Sequence, residues 1–275
     1  GRVRVRGTGN GEVYGVRSEA AGGQPARTGV TGTDSLTVSA LSGSGGDAFG
    51  VYSEGNGSQR ASGTLSGDKD VQISANSRSA NATGMGAVSA TNRVSGSTVG
   101  LEVEASVGNA VGLLASVNPA AATGTDTLGG SNTIEAGTIA VTATSGSGSV
   151  TVARAAADGQ SSLSGTNTMT ATGGITLQGS ASGGVNGLLA QSGGANAAGS
   201  GATFNLEVDG LTRASDVSGI VADGVRNVSG EASQNRVQAA AIDAKAVKGK
   251  NVYGGRALDG GKKNLSANRE HSLQG

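Results

Sequence analysis

The sequence predicts an all-β chain of stacked repeats, a β-solenoid of about eight coils of roughly 35 residues each. Three observations predict it. A four-residue pattern, [Val/Ala]-x-Gly-[apolar], returns seven times along the chain. A short apolar-x-apolar strand recurs upstream of it. Turn-forming residues fill the intervals, with 51 glycines in 275 residues and no Gly-X-Y period, which excludes collagen.

The pattern reads Val13-Tyr14-Gly15-Val16, Ala48-Phe49-Gly50-Val51, Ala82-Thr83-Gly84-Met85 and Ala110-Val111-Gly112-Leu113. It resumes as Val185-Asn186-Gly187-Leu188, Val217-Ser218-Gly219-Ile220 and Val252-Tyr253-Gly254-Gly255. The skipped beat is filled by Val150-Thr151-Val152, with Val152 where the glycine is due. A glycine inside a strand pattern marks a bend or a close backbone approach. Tyr14, Phe49 and Tyr253 share the slot before it, either as an outward partial stack or as separate gap fillers.

The upstream strands are Val3-Arg4-Val5, Leu36-Thr37-Val38, Val71-Gln72-Ile73, Leu101-Glu102-Val103, Ile139-Ala140-Val141, Ile175-Thr176-Leu177 and Leu206-Glu207-Val208. Ala240-Ala241-Ile242 is a weaker eighth. Alternation with period two gives each a dry face and a wet one. A third anchor shows in two repeats only, Ser131-Asn132-Thr133-Ile134 and Thr166-Asn167-Thr168-Met169. Three strands of this kind make one coil. Because each repeat buries its apolar face only against its neighbours, like strands are expected to stack parallel and in register, with Val38, Ile73 and Val103 in one column. The repeat array is expected over residues 1–257, with 258–275 a polar tail or the start of a further repeat.

Composition narrows the function. Formal net charge is zero, which gives nucleic-acid binding no global electrostatic support. Apolar anchors at a fixed beat argue against whole-chain disorder despite the Gly/Ser/Thr/Asn bias. The chain has no cysteine, in keeping with an exported protein, and no apolar run long enough for a membrane helix. It opens inside a strand pattern, without a signal peptide or capping element, so a segment of a longer protein is the expectation.

Several phrases carry a family likeness. Ser164-Gly165-Thr166-Asn167-Thr168-Met169, Ile139-Ala140-Val141-Thr142-Ala143, Gly187-Leu188-Leu189-Ala190 and Asn251-Val252-Tyr253-Gly254-Gly255-Arg256-Ala257 resemble passenger repeats of Gram-negative autotransporters. The resemblance implies a single-stranded right-handed parallel β-helix carried to the bacterial outer membrane and cell surface by a C-terminal barrel that this chain lacks. It brings no functional residues, because the matching phrases are structural.

A search for chemistry returns little. The single histidine, His271, lies next to Glu270 in the final polar stretch and has no oriented triad partner in sequence. Counting excludes metal sites built on His or Cys. Ser44-Gly45-Gly46-Asp47 is at most one broken copy of a calcium β-roll repeat. Glu102/Glu104 and Glu207/Asp209 are paired carboxylates in like positions, but three coils of about 4.8 Å separate them by roughly 14 Å, beyond glycosidase spacing. With no Trp and few aromatics, a sugar-stacking platform is poorly supplied. The basic excess of Lys245, Lys248, Lys250, Arg256, Lys262, Lys263 and Arg269 could attract an anion such as lipopolysaccharide, or keep a repeat end soluble. Residues 116–131 and 191–202 are candidate contact loops.

The expected function is therefore a non-catalytic, cell-surface structural or adhesive segment with no catalytic, cofactor or metal residues. Its partner is a host surface, an extracellular matrix component or another copy of itself. A self-assembling filament or coat protein and a polysaccharide-degrading β-helix enzyme are the alternatives.

Overall fold

A computed structural model describes residues 1–20, 24–55, 60–117, 129–157, 164–213, 215–223, 230–258 and 260–275, with the backbone alone at 268–271. Among these residues every regular element is a strand and every strand pairing is parallel.

The glycine pattern forms one eight-stranded sheet, here the first ladder. Its members are β2 (Val13–Glu19), β5 (Ala48–Glu54), β8 (Ala82–Val88), β10 (Ala110–Ser116), β12 (Val150–Ala156), β15 (Val185–Gln191), β18 (Asp216–Ala222) and β20 (Asn251–Ala257). Val13, Ala48, Ala82, Ala110, Val150, Val185, Val217 and Val252 follow one another in register, as the repeat predicts. The glycine has a steric cause. A Cβ on Gly50 would come within 2.6 Å of the Gly84 carbonyl oxygen in the next rung and 2.5 Å of the Ile73 side chain. Alternation also slips at this point: in β5 both Gly50 and Val51 are buried, so Phe49 and Tyr52, three residues apart, share the outer face.

β12 breaks the rule, and its neighbour compensates. Val152 is fully buried where glycine is expected, and the strand of the second ladder facing it carries Gly179, whose added Cβ would lie 2.9 Å from Val152 Cγ2. Val152→Gly should therefore cost about 2–4 kcal/mol through an unfilled cavity, and Gly179→Val about 1–3 kcal/mol through overpacking. The double variant should recover much of both losses in thermal melts; strictly additive costs would show that the two positions do not share space.

The second ladder holds the upstream strands: β1 (Val3–Gly9), β4 (Ser35–Ser42), β7 (Asp70–Ser77), the second half of β9 (Thr91–Ala105), that of β11 (Ser131–Ser145), β14 (Ile175–Ala181), β17 (Thr203–Gly210) and the second halves of β19 (Gln234–Val247) and β21 (Lys262–Gln274). Its inward columns are dry. Leu36, Val71, Val99, Ile139, Ile175, Phe204 and Ile242 form one; Val38, Ile73, Leu101, Val141, Leu177 and Leu206 form the next. This corrects the expected register at three places. Val103 lies with Ala75 and Ala143, not with Val38 and Ile73; Ile175 faces Phe204, not Leu206; and Ile242, not Ala240, continues that column. Each slip is two residues, so the buried face is unchanged.

The third ladder is only half visible in sequence. It runs β3 (Ala26–Gly32), β6 (Ala61–Gly67), the first halves of β9 and β11, β13 (Thr166–Ala171), β16 (Ala195–Ser200) and the first halves of β19 and β21. β16 occupies half of residues 191–202, so the middle of that expected loop is a strand; the other expected loop, 116–131, lies mostly outside the described residues. The second and third ladders merge into one 13-stranded sheet because β9, β11, β19 and β21 run continuously through both. In the same sheet, β11, β13, β16, β19, β17 and β14 close a ring of six: β13 and β14 pair with the two halves of β11, and β16 and β17 with the two halves of β19.

All three ladders turn their apolar columns onto a single cluster running from Val13 and Leu36 to Ala246. Within it lies a row of fully buried amides. Asn92, Asn132, Asn167, Asn196 and Asn235 occupy one register position of the third ladder. The Nδ2 of each of the first four donates to the Oδ1 of the next, at 3.1, 3.0, 2.8 and 2.8 Å. Each also donates to a carbonyl of the first ladder, from Gly86 to Val221. The Ser53 hydroxyl closes the row by donating to Asn92 Oδ1 at 2.6 Å.

Candidate functional site

The stacked register decides which sequence features meet. Glu102, Thr142, Gln178 and Glu207 occupy one outward column, and Glu104, Thr144, Ser180 and Asp209 the next. Two rungs thus separate the carboxylate pairs, about 14 Å at 4.8 Å per step. Glu104 accepts from Asn76 at 2.6 Å and Asp209 pairs with Lys248 at 3.2 Å. The shallow groove between the pairs is lined by Thr142, Thr144, Gln178 and Ser180 beside Glu207 and Asp209.

His271 is placed by its backbone in β21, level with Ile242, rather than in a tail beyond the last repeat. Its side chain lies outside the described residues. Asp47, the acid of the broken calcium motif, accepts from both the backbone and the side-chain amide of Asn81, at 2.9 and 3.2 Å. That contact belongs to a corner row in which Asn109 donates its N–H to Asn81, and Ser149 its N–H to Asn109. No group of three or more metal-binding side chains occurs among the described residues. The C-terminal cations are spread over β19, β20, β21 and the turn at 248–250, and Arg256 lies 5.0 Å from the Tyr253 ring.

Among the described residues, the densest assembly of chemically distinctive side chains is on the outer face of the first ladder, in β2 and β5. The chain has three tyrosines and two phenylalanines, and Tyr14, Phe49 and Tyr52 meet here. Tyr14 and Phe49 stack with centroids 4.9 Å apart and planes 9° from parallel, the rung spacing setting the ring spacing. Tyr52 tilts against both, at 5.7 and 4.8 Å. Tyr253 shares their slot but lies rungs away, so the stack is confined to two rungs.

Carboxylates frame the rings. The Tyr14 hydroxyl donates to Glu12 at 2.9 Å and the Tyr52 hydroxyl to Glu54 at 3.2 Å. Arg17 sits 4.6 Å from the Tyr14 centroid and pairs with Glu19 at 2.5 Å. Burial, then the hydrogen bond to Glu12, pushes the Tyr14 hydroxyl up to about 12. Burial, then the charge of Glu54, raises Tyr52 as well. Both hydroxyls therefore stay protonated as donors at neutral pH. The aromatics are few, as the sequence shows, but three of the five are concentrated on this face. Tyr52 escaped sequence reading because residues i and i+3 of a regular strand face opposite ways, and only the slip at Gly50 brings it round.

No helix among the described residues is long and apolar enough to cross a membrane, which says nothing of a strand-built barrel. Comparison with known protein families, with characterised proteins and with solved structures gives no match.

Proposed function

We propose that the three ladders are the faces of a right-handed parallel β-solenoid of about eight coils of roughly 35 residues, and that it serves as a stiff, non-catalytic rod in an adhesive surface protein of the autotransporter-passenger kind. The observation that supports this reading is the register. Equivalent residues follow one another through rung after rung above an uninterrupted core. Such stacking makes a linear array whose outer face is long and polar before it is concave, suited to contact over an extended surface. Delivery to the bacterial outer membrane and cell surface by a separate barrel belongs to the same reading, as does the host surface, matrix component or second copy it would touch.

The test is direct binding. The purified chain, applied to epithelial cells and to immobilised matrix proteins, should bind at least one of them saturably, and heat-unfolded chain should not. No binding above that control, on any surface, would refute the adhesive role. Release of reducing ends or unsaturated sugars from acidic polysaccharides would replace it with the enzymatic one.

A further inference from the structure

We propose that the trough on the outer face of the second ladder, between the carboxylate walls of β9 and β17, binds an extended polypeptide segment carrying two consecutive basic side chains. Two properties of the trough lead there. Its polar groups are unengaged. Among the described residues, the side chains of Glu102, Thr142, Gln178 and Glu207, one line across four rungs, make no hydrogen bond or ion pair, and neither do Thr144 and Ser180. Elsewhere on the surface such neighbours pair between rungs, as Asn76 does with Glu104, Arg93 with Glu135 and Asn251 with Asp216. The trough also reaches the main chain. Its volume is about 230 Å³, and Ala143 and Gly179, whose own positions face inward, take part in its lining.

Such a floor suits a backbone. Hydroxyl and carboxamide groups both donate and accept, which the N–H and C=O groups of an unpaired extended chain require. The walls then select the side chains. Successive side chains of an extended chain point to opposite sides, so a segment running along β11 and β14 sends one residue toward Glu102 and the next toward Glu207. The walls are about 14 Å apart at the backbone, which puts each about 7 Å from a chain on the midline, within reach of a lysine or arginine. Two basic residues separated by a third would instead face one wall. There the second carboxylate is already engaged, Glu104 by Asn76 and Asp209 by Lys248. Adjacent basic residues therefore use both free carboxylates, and spaced ones do not. Charge agrees: four carboxylates form the walls, against Lys248 and Lys245 on the far side of β17. Asp209 also keeps its second oxygen, Oδ1, without a donor. Phosphates and acidic glycans meet repulsion here, and a cationic segment meets attraction.

The proposal rests on the reading that outward faces of the rod make contacts, and it names the partner chemistry of one of them. Its test is titration of the isotope-labelled full chain, followed by amide chemical shifts, with three capped peptides of glycine and threonine. One carries two adjacent arginines, one carries them separated by a single residue, and one has uncharged citrulline in place of the adjacent pair. At about 0.15 M salt, where long-range attraction is screened, the adjacent-arginine peptide should bind about threefold tighter than the other two, or better. Its shifts should centre on residues 142–144 and 178–180. Glu102→Gln and Glu207→Gln should each lower its affinity to that of the separated peptide, with unchanged melting curves. Asp70→Asn, at the start of the neighbouring β7, should leave it as in wild type. Equal binding of the adjacent and separated peptides, shifts centred elsewhere, or wild-type affinity in either glutamine variant would overturn the proposal. So would binding of an amino-sugar oligosaccharide at these residues without binding of the peptide. Cell or matrix binding that survives without peptide binding sinks this site alone, whereas peptide binding without cell or matrix binding supports the site and sinks the adhesive role.

Discussion

Val141→Asp should destabilise the protein by about 3–5 kcal/mol, while Thr142→Asp, one residue away, should cost less than about 1 kcal/mol. Val141 is 1% exposed, with Leu101 and Leu177 in register on either side. Its Cγ1 stands where a Cβ on Gly112 would approach to 2.7 Å, so neither water nor a cation can reach a carboxylate placed there. Burial would raise the pKa of the new acid. The native state would then bind its proton more tightly than the unfolded chain, so the defect should be mildest in acid and grow as pH rises past the usual carboxylate range. Thr142 points outward between Glu102 and Gln178, where an added charge meets water and one like charge. Thermal melting of the two variants across pH checks both claims. Equal losses would mean that the faces of β11 are wrongly assigned.

Asn167→Leu is the second large effect, although it keeps the branched shape and the number of side-chain heavy atoms and removes no charge. Asn167 accepts from Asn132 and donates to Asn196 and to the Arg154 carbonyl. The leucine would strand three buried polar groups at about 1–3 kcal/mol each, so a loss of at least about 3 kcal/mol is expected. Thr168→Leu, on the outer face of the same strand, should be nearly silent. Denaturation midpoints measure the difference, and amide exchange should show protection falling first in β11, β13 and β16. An unchanged midpoint would mean that the amide row carries no stability of its own.

The register of the first ladder was legible rung for rung, including Val152 in the glycine slot, because a glycine flanked by apolar residues is a sharp signal. The second ladder was legible by face but not by register. Val99, Leu101 and Val103 are all buried at period two, so an apolar-x-apolar motif fits β9 in two ways. Phe204, Leu206 and Val208 repeat the ambiguity in β17. Turn lengths and stacking partners, which periodicity does not encode, settle it.

The third ladder was nearly mute because its core residue varies from rung to rung: Ile134 and Met169 announce a strand, whereas Ala198 at the same position, between Met169 and Val237, does not. Its most regular feature is the inward asparagine of β9, β11, β13, β16 and β19, two residues before the apolar one, and that recurrence was the signal available. The aromatic patch was hidden for a different reason. Tyr14, Phe49 and Tyr52 span 38 positions of sequence, and only rung stacking plus the slip at Gly50 makes them neighbours.

The central claim is that like strands lie directly above one another at a constant rise. The chain has no cysteine, so spin labels can be placed in pairs without interference. Thr37, Gln72, Gly100, Ala140, Thr176 and Asn205 form one outward column. Labels on cysteines at Thr37 and in turn at Ala140, Thr176 and Asn205 should give pulsed-EPR distances consistent with backbone separations of about 14, 19 and 24 Å, one step of about 4.8 Å per rung. A series that fails to lengthen by that constant step, or that fits Glu207 in place of Asn205, would contradict the account.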